Sequence, residues 1–165
     1  PANIDATTTE KARAMALKVV DSMEFEGLMA VELFLNSKGE LLVNEVAPRT
    51  HNSGHHTIEA NRTSQFAQHL RAVADLPLGD VSQLHNAAGM INLLGTPGAA
   101  GTPIYEGLAE ALSIPGVHPH LYGKSEVKPY RKMGHVTVTA ENIETVQESL
   151  LKLSEMICVS GTNGK

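Results

Sequence analysis

Residues 44–57, NEVAPRTHNSGHHT, gather Asn44, Glu45, Arg49, His51, Asn52, His55 and His56 into fourteen positions. Two chemistries use such a mixture. Histidines at four-residue spacing, as His51 and His55 are, can chelate zinc from one helix face. Here the residues between them, Asn52-Ser53-Gly54, are turn formers, and no cysteine or third spaced ligand completes a site. Arg49 gives the better clue: a guanidinium flanked by His and Asn donors suits a small planar oxyanion, bicarbonate or a carboxylate, gripped through two parallel hydrogen bonds. The plainer readings are a structural salt bridge for Arg49 and packed loop positions for His55 and His56.

Upstream, GLMAVELFLNSKGELLVNEVAP reads as two β-rich runs broken by the hairpin composition Asn36-Ser37-Lys38-Gly39. A four-residue loop pairs Leu35 with Glu40, Glu32 with Val43 and Ala30 with Glu45. Glu32 and Glu45 then become diagonal neighbours on one face, with backbones roughly 7–8 Å apart. Two converging carboxylates would bracket a divalent cation, Mg²⁺ first among candidates because it is commonly held by one or two carboxylates plus substrate phosphates. A solvated hairpin face is the alternative, and a slip of one residue would separate the acids.

Near the other end, YGKSEVKPYRKMGH sets Lys124, Lys128, Arg131 and Lys132 against Glu126 alone. In a chain of net charge −5 this is a local positive patch suited to a phosphate monoester, with Lys128 better read as solvated. Gly123-Lys124-Ser125 imitates the end of a phosphate loop, but His118 stands where that motif needs glycine. GTPGAAG has the wrong spacing for a dinucleotide fingerprint.

These residues need a scaffold, and the pattern supplies a mixed one. Thr7 and Glu10 stand at capping-box spacing ahead of a helix over about 8–24, with Leu17, Val20 and Met23 as its apolar stripe. After the hairpin, 47–62 reads as loop, followed by a helix from Thr63 with Phe66, Leu70, Val73 and Ala74 on one face. AAGMINLLG, HPHLYG and GHVTVTA read as strands, GTPGAAGTP as a loop, 106–113 as a short helix and NIETVQESLLKLSEM as an amphipathic helix. The tail SGTNGK reads as frayed.

Composition bounds the rest. The 165 residues, 42% hydrophobic and 19% charged, suit one compact domain or two small lobes. No apolar run approaches the roughly 18 residues of a membrane span, and the negative charge argues against general nucleic-acid binding. The single Cys158 cannot form an internal disulfide, and the start lacks a basic-then-apolar leader, so a cytoplasmic location is expected. Opening on Pro1 rather than Met, the chain reads as a piece of something longer.

VELF, NEVAPRTHNSGHHT, SQFAQHLRAVADLPLG, MINLLG and YGKSEVKPYRKMGHVT, in that order from residue 31 to 137, resemble the ATP-grasp ligases, and more narrowly the ATP-dependent carboxylases of purine synthesis. The resemblance implies an α+β chain: the C-terminal part of an ATP-grasp domain over 1–77, then a small mixed α/β C-terminal domain over 78–165. It implies ATP and Mg²⁺ at Glu32, Asn44 and Glu45, with Glu32 and Glu45 on the metal. Arg49, His51 and Asn52 would lie at bicarbonate or carboxyphosphate, and Lys124, Arg131 and Lys132 at the ribonucleotide phosphate, Lys124 also reaching the carboxylating centre. The implied reaction is the ATP- and bicarbonate-dependent carboxylation of 5-aminoimidazole ribonucleotide, in a homodimer. His56 and Thr50 depart mildly from the pattern, where many relatives carry an aromatic ring and a proline. The upstream Rossmann-like domain and the lobe with the phosphate-binding lysine are not in this sequence, so the chain alone should lack most of the ATP site. The competing readings are another ATP-grasp ligase, such as a formate-dependent formyltransferase or a biotin carboxylase, a degenerate relative that keeps the scaffold, and a non-catalytic ligand-binding or dimerisation module.

Overall fold

The computed structural model describes residues 3–163, which fall into two compact units. The first takes in the chain up to Gly54 and then Gln65–Asp80; the second takes in His55–Ser64 and everything from Val81.

In the first unit, α1 (Ala6–Asp21) is capped not by the expected Thr7–Glu10 box but by Asp5, whose carboxylate accepts the Thr8 N–H at 2.8 Å. That bond stabilises the charged form and holds the Asp5 carboxyl below its ordinary range. The hairpin of β1 (Ala30–Leu35) and β2 (Leu41–Ala47) has a tighter turn than expected. Asn36 already pairs with Glu40, Gly39 N–H donates to the Asn36 carbonyl, and the Asn36 side chain accepts from the N–H groups of Lys38 and Glu40. Gly39 sits at φ 78°, as the position closing such a three-residue loop requires. Leu35 therefore pairs with Leu41 rather than Glu40. A bulge at Asn44 then shifts the register once more and sets Glu32 directly opposite Glu45, where neither the Glu32–Val43 nor the Ala30–Glu45 pairing survives.

The segment read as loop over 47–62 contains a 3₁₀ turn, Asn52–Gly54, and a short helix α2, Thr57–Ala60. The next helix, α3 (Gln65–Val73), begins two residues later than expected. Its apolar face is exposed: Phe66, Leu70 and Val73 are 37, 65 and 54% accessible. α1 likewise buries none of its residues, and Leu17 is 62% accessible. A two-stranded sheet offers too little surface to cover two amphipathic helices.

The second unit has a three-stranded antiparallel sheet in the order β3 (Ala87–Leu94), β6 (Lys132–Ala140), β5 (Val117–Leu121). Its two faces differ. Gly89, Val136 and Val138 belong to the side packed by α5 (Ile143–Met156), where Val146 and Leu153 complete a fully buried core. His120, His135, Thr137 and Asn92 share the other face, since β6 residues alternate and His135 lies across from both His120 and Asn92. Asn142 caps α5 by accepting the Thr145 N–H. Two strands escaped the sequence pattern. β4 (Pro103–Glu106) pairs with β7 (Cys158–Gly161), so Pro103 leaves the expected loop, Glu106 precedes α4 (Leu108–Ala111), and Ser160 and Gly161 are not frayed. At four residues each, these strands are too short to show an alternation. Gly164 and Lys165, the end of that tail, lie outside the described residues.

Leu153 is fully buried between α5 and the sheet. Leu153→Ala should cost about 2–5 kcal/mol of unfolding free energy, read as a lowered denaturation midpoint with an unchanged denaturant slope.

Candidate functional site

The hairpin bulge places two carboxylates side by side, an arrangement that is unfavourable unless something positive answers it. The loop after β2 supplies an imidazole: His51 Nε2 lies 3.3 Å from Glu32 Oε1. One ligand atom from each of Glu32, Glu45 and His51 falls within 4.8 Å of the other two. Asn44, the bulged residue, points its Nδ2 at Glu32 Oε2 at 3.4 Å. Hard carboxylate oxygens with room for water and phosphate fit Mg²⁺, held at about 2.0–2.1 Å, and an imidazole nitrogen widens the set to Mn²⁺.

His51 is fixed from behind. The Gln65 side chain, 5% exposed, accepts the His51 N–H at 2.9 Å and donates to the His51 carbonyl at 2.8 Å. Sequence reasoning missed Gln65, which reads as an ordinary first residue of a helix; only the fold shows its amide paired with backbone fourteen residues away. Gly54 makes room for it, since a Cβ there would fall 2.5 Å from Gln65 Oε1. His51 Nδ1 also meets Ser53 Oγ at 2.9 Å. Arg49 is exposed, with Nη1 donating to the Thr50 carbonyl at 2.9 Å. Asn52 holds its Oδ1 buried with no hydrogen-bond partner among the described residues, an acceptor placed to receive a donor.

Within the second unit, Lys124, Arg131 and Lys132 are brought to one loop-and-strand junction. Lys124 Nζ donates to the Lys132 carbonyl at 2.6 Å and lies 5.6 Å from the Tyr122 ring centroid. Arg131 Nη1 donates to the Glu126 carbonyl, while Lys128 pairs with the Glu126 carboxylate at 3.3 Å, consistent with its reading as a solvated residue. This junction presses on Gly95, where a Cβ would meet the Lys128 carbonyl at 2.2 Å. Tyr130, just before Arg131, takes φ 61°.

Beside the junction stand three histidines that spacing did not connect. His120 and His135 stack with ring centroids 4.5 Å apart, and His55 stacks on His135 at 4.9 Å. Glu59 Oε1 meets His120 Nε2 at 2.7 Å, and Tyr122 Oη meets His135 Nδ1 at 3.0 Å. His135 is 2% exposed. Burial first, then the neighbouring His120 and His55, push its pKa down to about 4, with the Glu59 charge opposing the shift.

Residues 1–66 match the ATP-grasp domain family, and 88–149 match the phosphoribosylaminoimidazole carboxylase C-terminal domain. The Bacillus subtilis N5-carboxyaminoimidazole ribonucleotide synthase is 46% identical over 137 residues, 83% of this chain. The chain carries both family matches in that order and is similar to N5-carboxyaminoimidazole ribonucleotide synthases over part of their length. A chloroplastic phosphoribosylaminoimidazole carboxylase from Vigna aconitifolia is 47% identical over 94% of the chain. The crystal structure of the Thermotoga maritima synthetase superposes with a TM-score of 0.91 at 48% identity, over 98% of this chain and 44% of that one. An Aspergillus clavatus synthase solved with ADP and 5-aminoimidazole ribonucleotide gives 0.80 at 37% identity, over 93% of this chain and 41% of that one. The chain spans only 28% and 34% of the Vigna and Bacillus proteins. The α+β fold expected of the family is the one observed, and no helix among the described residues is long and apolar enough to cross a membrane.

Two outcomes follow. Mn²⁺ titrated into the chain should broaden the NMR signals of Glu32, Glu45 and His51 selectively, and Glu45→Gln should weaken binding by an order of magnitude or more; uniform broadening would remove the metal assignment. For His135 the folded pKa lies below the ordinary 6.5, so the unfolded state binds more protons between the two values. Stability is therefore full above pH 6.5 and falls as pH drops toward 4, by up to about 3 kcal/mol. The protection factors of the β6 amides, taken relative to intrinsic exchange at each pH, should fall over that window, and less so in His135→Asn.

Proposed function

We propose that this chain is part of an enzyme that carboxylates 5-aminoimidazole ribonucleotide to its N5-carboxyamino form, using ATP and bicarbonate in purine synthesis. The observation that carries this reading is the convergence of Glu32, Glu45 and His51 on one hairpin and its following loop, in a chain whose relatives bear that name. The boundary between the ATP-grasp part and the C-terminal domain lies near residue 77, in the interval between the two family matches. A homodimer in the cytoplasm belongs to the same reading.

Glu32 and Glu45 would hold Mg²⁺, with Asn44 beside them toward the nucleotide. The metal, when bound, neutralises charge on the phosphates of ATP. Arg49 offers its planar guanidinium to the flat bicarbonate and carboxyphosphate anions, where two parallel hydrogen bonds would hold a labile mixed anhydride. His51, held by Gln65, keeps its Nε2 toward the same acids, with Asn52 beside it in the same loop as a substrate-binding residue. Lys124, Arg131 and Lys132 supply the positive charge for the ribose phosphate, Lys124 also serving the carboxylating centre. The group that moves is a carboxyl: the amine nitrogen gains a C–N bond, carboxyphosphate releases phosphate, and the nitrogen loses a proton. Positioning and charge neutralisation suffice for this, without a covalent enzyme intermediate.

The test is to join this chain to the preceding portion of the Bacillus subtilis synthase and measure ADP release from ATP, Mg²⁺ and bicarbonate, with and without aminoimidazole ribonucleotide. Activity should require bicarbonate rather than formate and fall about 10²–10³-fold in kcat for Arg49→Ala, the range for losing one transition-state donor. A folded chimera that stays silent would sink the reading in favour of a degenerate scaffold or a binding module; formate dependence would move it to a formyltransferase.

A further inference from the structure

The imidazole column of the second unit has no part in the chemistry proposed for the site, yet Tyr122, which bonds to its central ring, lies beside Lys124. A carboxylate can only accept, so the 2.7 Å contact of Glu59 fixes the proton of His120 on Nε2. His120 lies directly across the ladder from His135, and their rings are stacked only 16° from parallel. His55 covers the other face of His135, its plane tilted 28°. The His135 ring is thus clamped on both sides, with Nδ1 at the Tyr122 hydroxyl. Tyr122 is in turn held by its own N–H, which donates to the Met133 carbonyl at 3.0 Å. Across the Tyr122 ring lies the Lys124 ammonium, whose remaining contact is the Lys132 carbonyl.

Nothing in the packing calls for imidazole here. The same sheet puts Val136 and Val138 on its opposite face with full burial, and a valine or leucine at 135 would avoid burying polar atoms. Instead His135 Nε2, the Oδ1 of its cross-strand neighbour Asn92 and Glu59 Oε2 are all buried with no hydrogen-bond partner among the described residues. Polar groups are kept at that cost where their direction matters. We propose that His135, backed by His120 and Glu59, is a positioning residue for Lys124: it holds the Tyr122 hydroxyl, and so sets the ring across which the Lys124 ammonium lies.

The column must keep His135 uncharged to do this, because a cation at its centre would face His120 and His55 on either side and compete with Lys124 for the Tyr122 ring. The groups facing it are His55 from the segment before α2, Glu59 from α2, His120 from β5 and Tyr122 just after β5; β3 contributes the neutral Asn92. Its significance for catalysis rests on the reading of Lys124 as a substrate-facing residue, but the coupling itself can be measured in the chain as it stands.

The experiment is the acylation rate of Lys124 by an amine-selective ester, followed by mass analysis of its peptide, in the wild type, Tyr122→Phe, His135→Leu and His135→Asn. Tyr122→Phe removes only the hydroxyl and carries the test even if His135→Leu fails to fold. A severalfold rise at Lys124 alone in Tyr122→Phe and in His135→Leu, with the wild-type rate kept in His135→Asn, whose amide can stand in for Nδ1, is the expected result. A wild-type rate at Lys124 in folded Tyr122→Phe overturns the proposal. The two readings separate in the chimeric enzyme with Lys124→Ala. An unchanged kcat/KM for aminoimidazole ribonucleotide there removes the substrate role of Lys124 while leaving the acylation result intact. A large loss there, with no acylation change in Tyr122→Phe, keeps the substrate role and removes the coupling.

Discussion

Two carboxylates facing each other across an antiparallel ladder repel, and the first unit is arranged around holding Glu32 and Glu45 in that relation. The tight turn at Ser37-Lys38-Gly39 sets the strands in one register, and the bulge at Asn44 then shifts β2 by a residue so that Glu45 arrives opposite Glu32. His51 turns its Nε2 toward Glu32 from the loop beyond, and Gln65 grips its backbone from α3. Turn, bulge, loop and helix start therefore act on one small volume, and a change in any of them moves the others.

The second unit solves a different problem with a sheet whose faces have opposite character. One face is a dry core against α5. The other buries imidazole, carboxylate, amide and hydroxyl groups together, with hydrogen bonds joining Glu59 to His120 and Tyr122 to His135. Three strands and one long helix give this face a rigid base, and the two-residue alternation of β6 alone decides which residues go to the core and which to the polar side.

Much of this was legible in the sequence, though unevenly. The amphipathic α5 and the alternating β6 are long enough for periodicity to place them. β4 and β7 are not: four residues such as PIYE or CVSG carry no pattern, and they become strands only by finding each other across more than fifty positions of chain. Glu32 and Glu45 were recognisable as partners, but their direct opposition was not, because a bulge leaves no residue type that must appear. Asn44 drew notice for its resemblance to a family motif, not as the extra residue in a ladder. Gln65 and His120 were silent for the same reason: their roles are contacts with distant residues, and neither stands at a spacing that points there.

The uncovered apolar faces of α1 and α3, with Leu17, Leu70 and Val73 all more than half accessible, bear on how the chain behaves in solution. Side chains of this kind gathered on adjoining helical turns are what chaperones and other copies of the same chain bind. Taken by itself, the first unit presents these faces to other copies of the chain, so the concentration at which a preparation stays monodisperse depends on them.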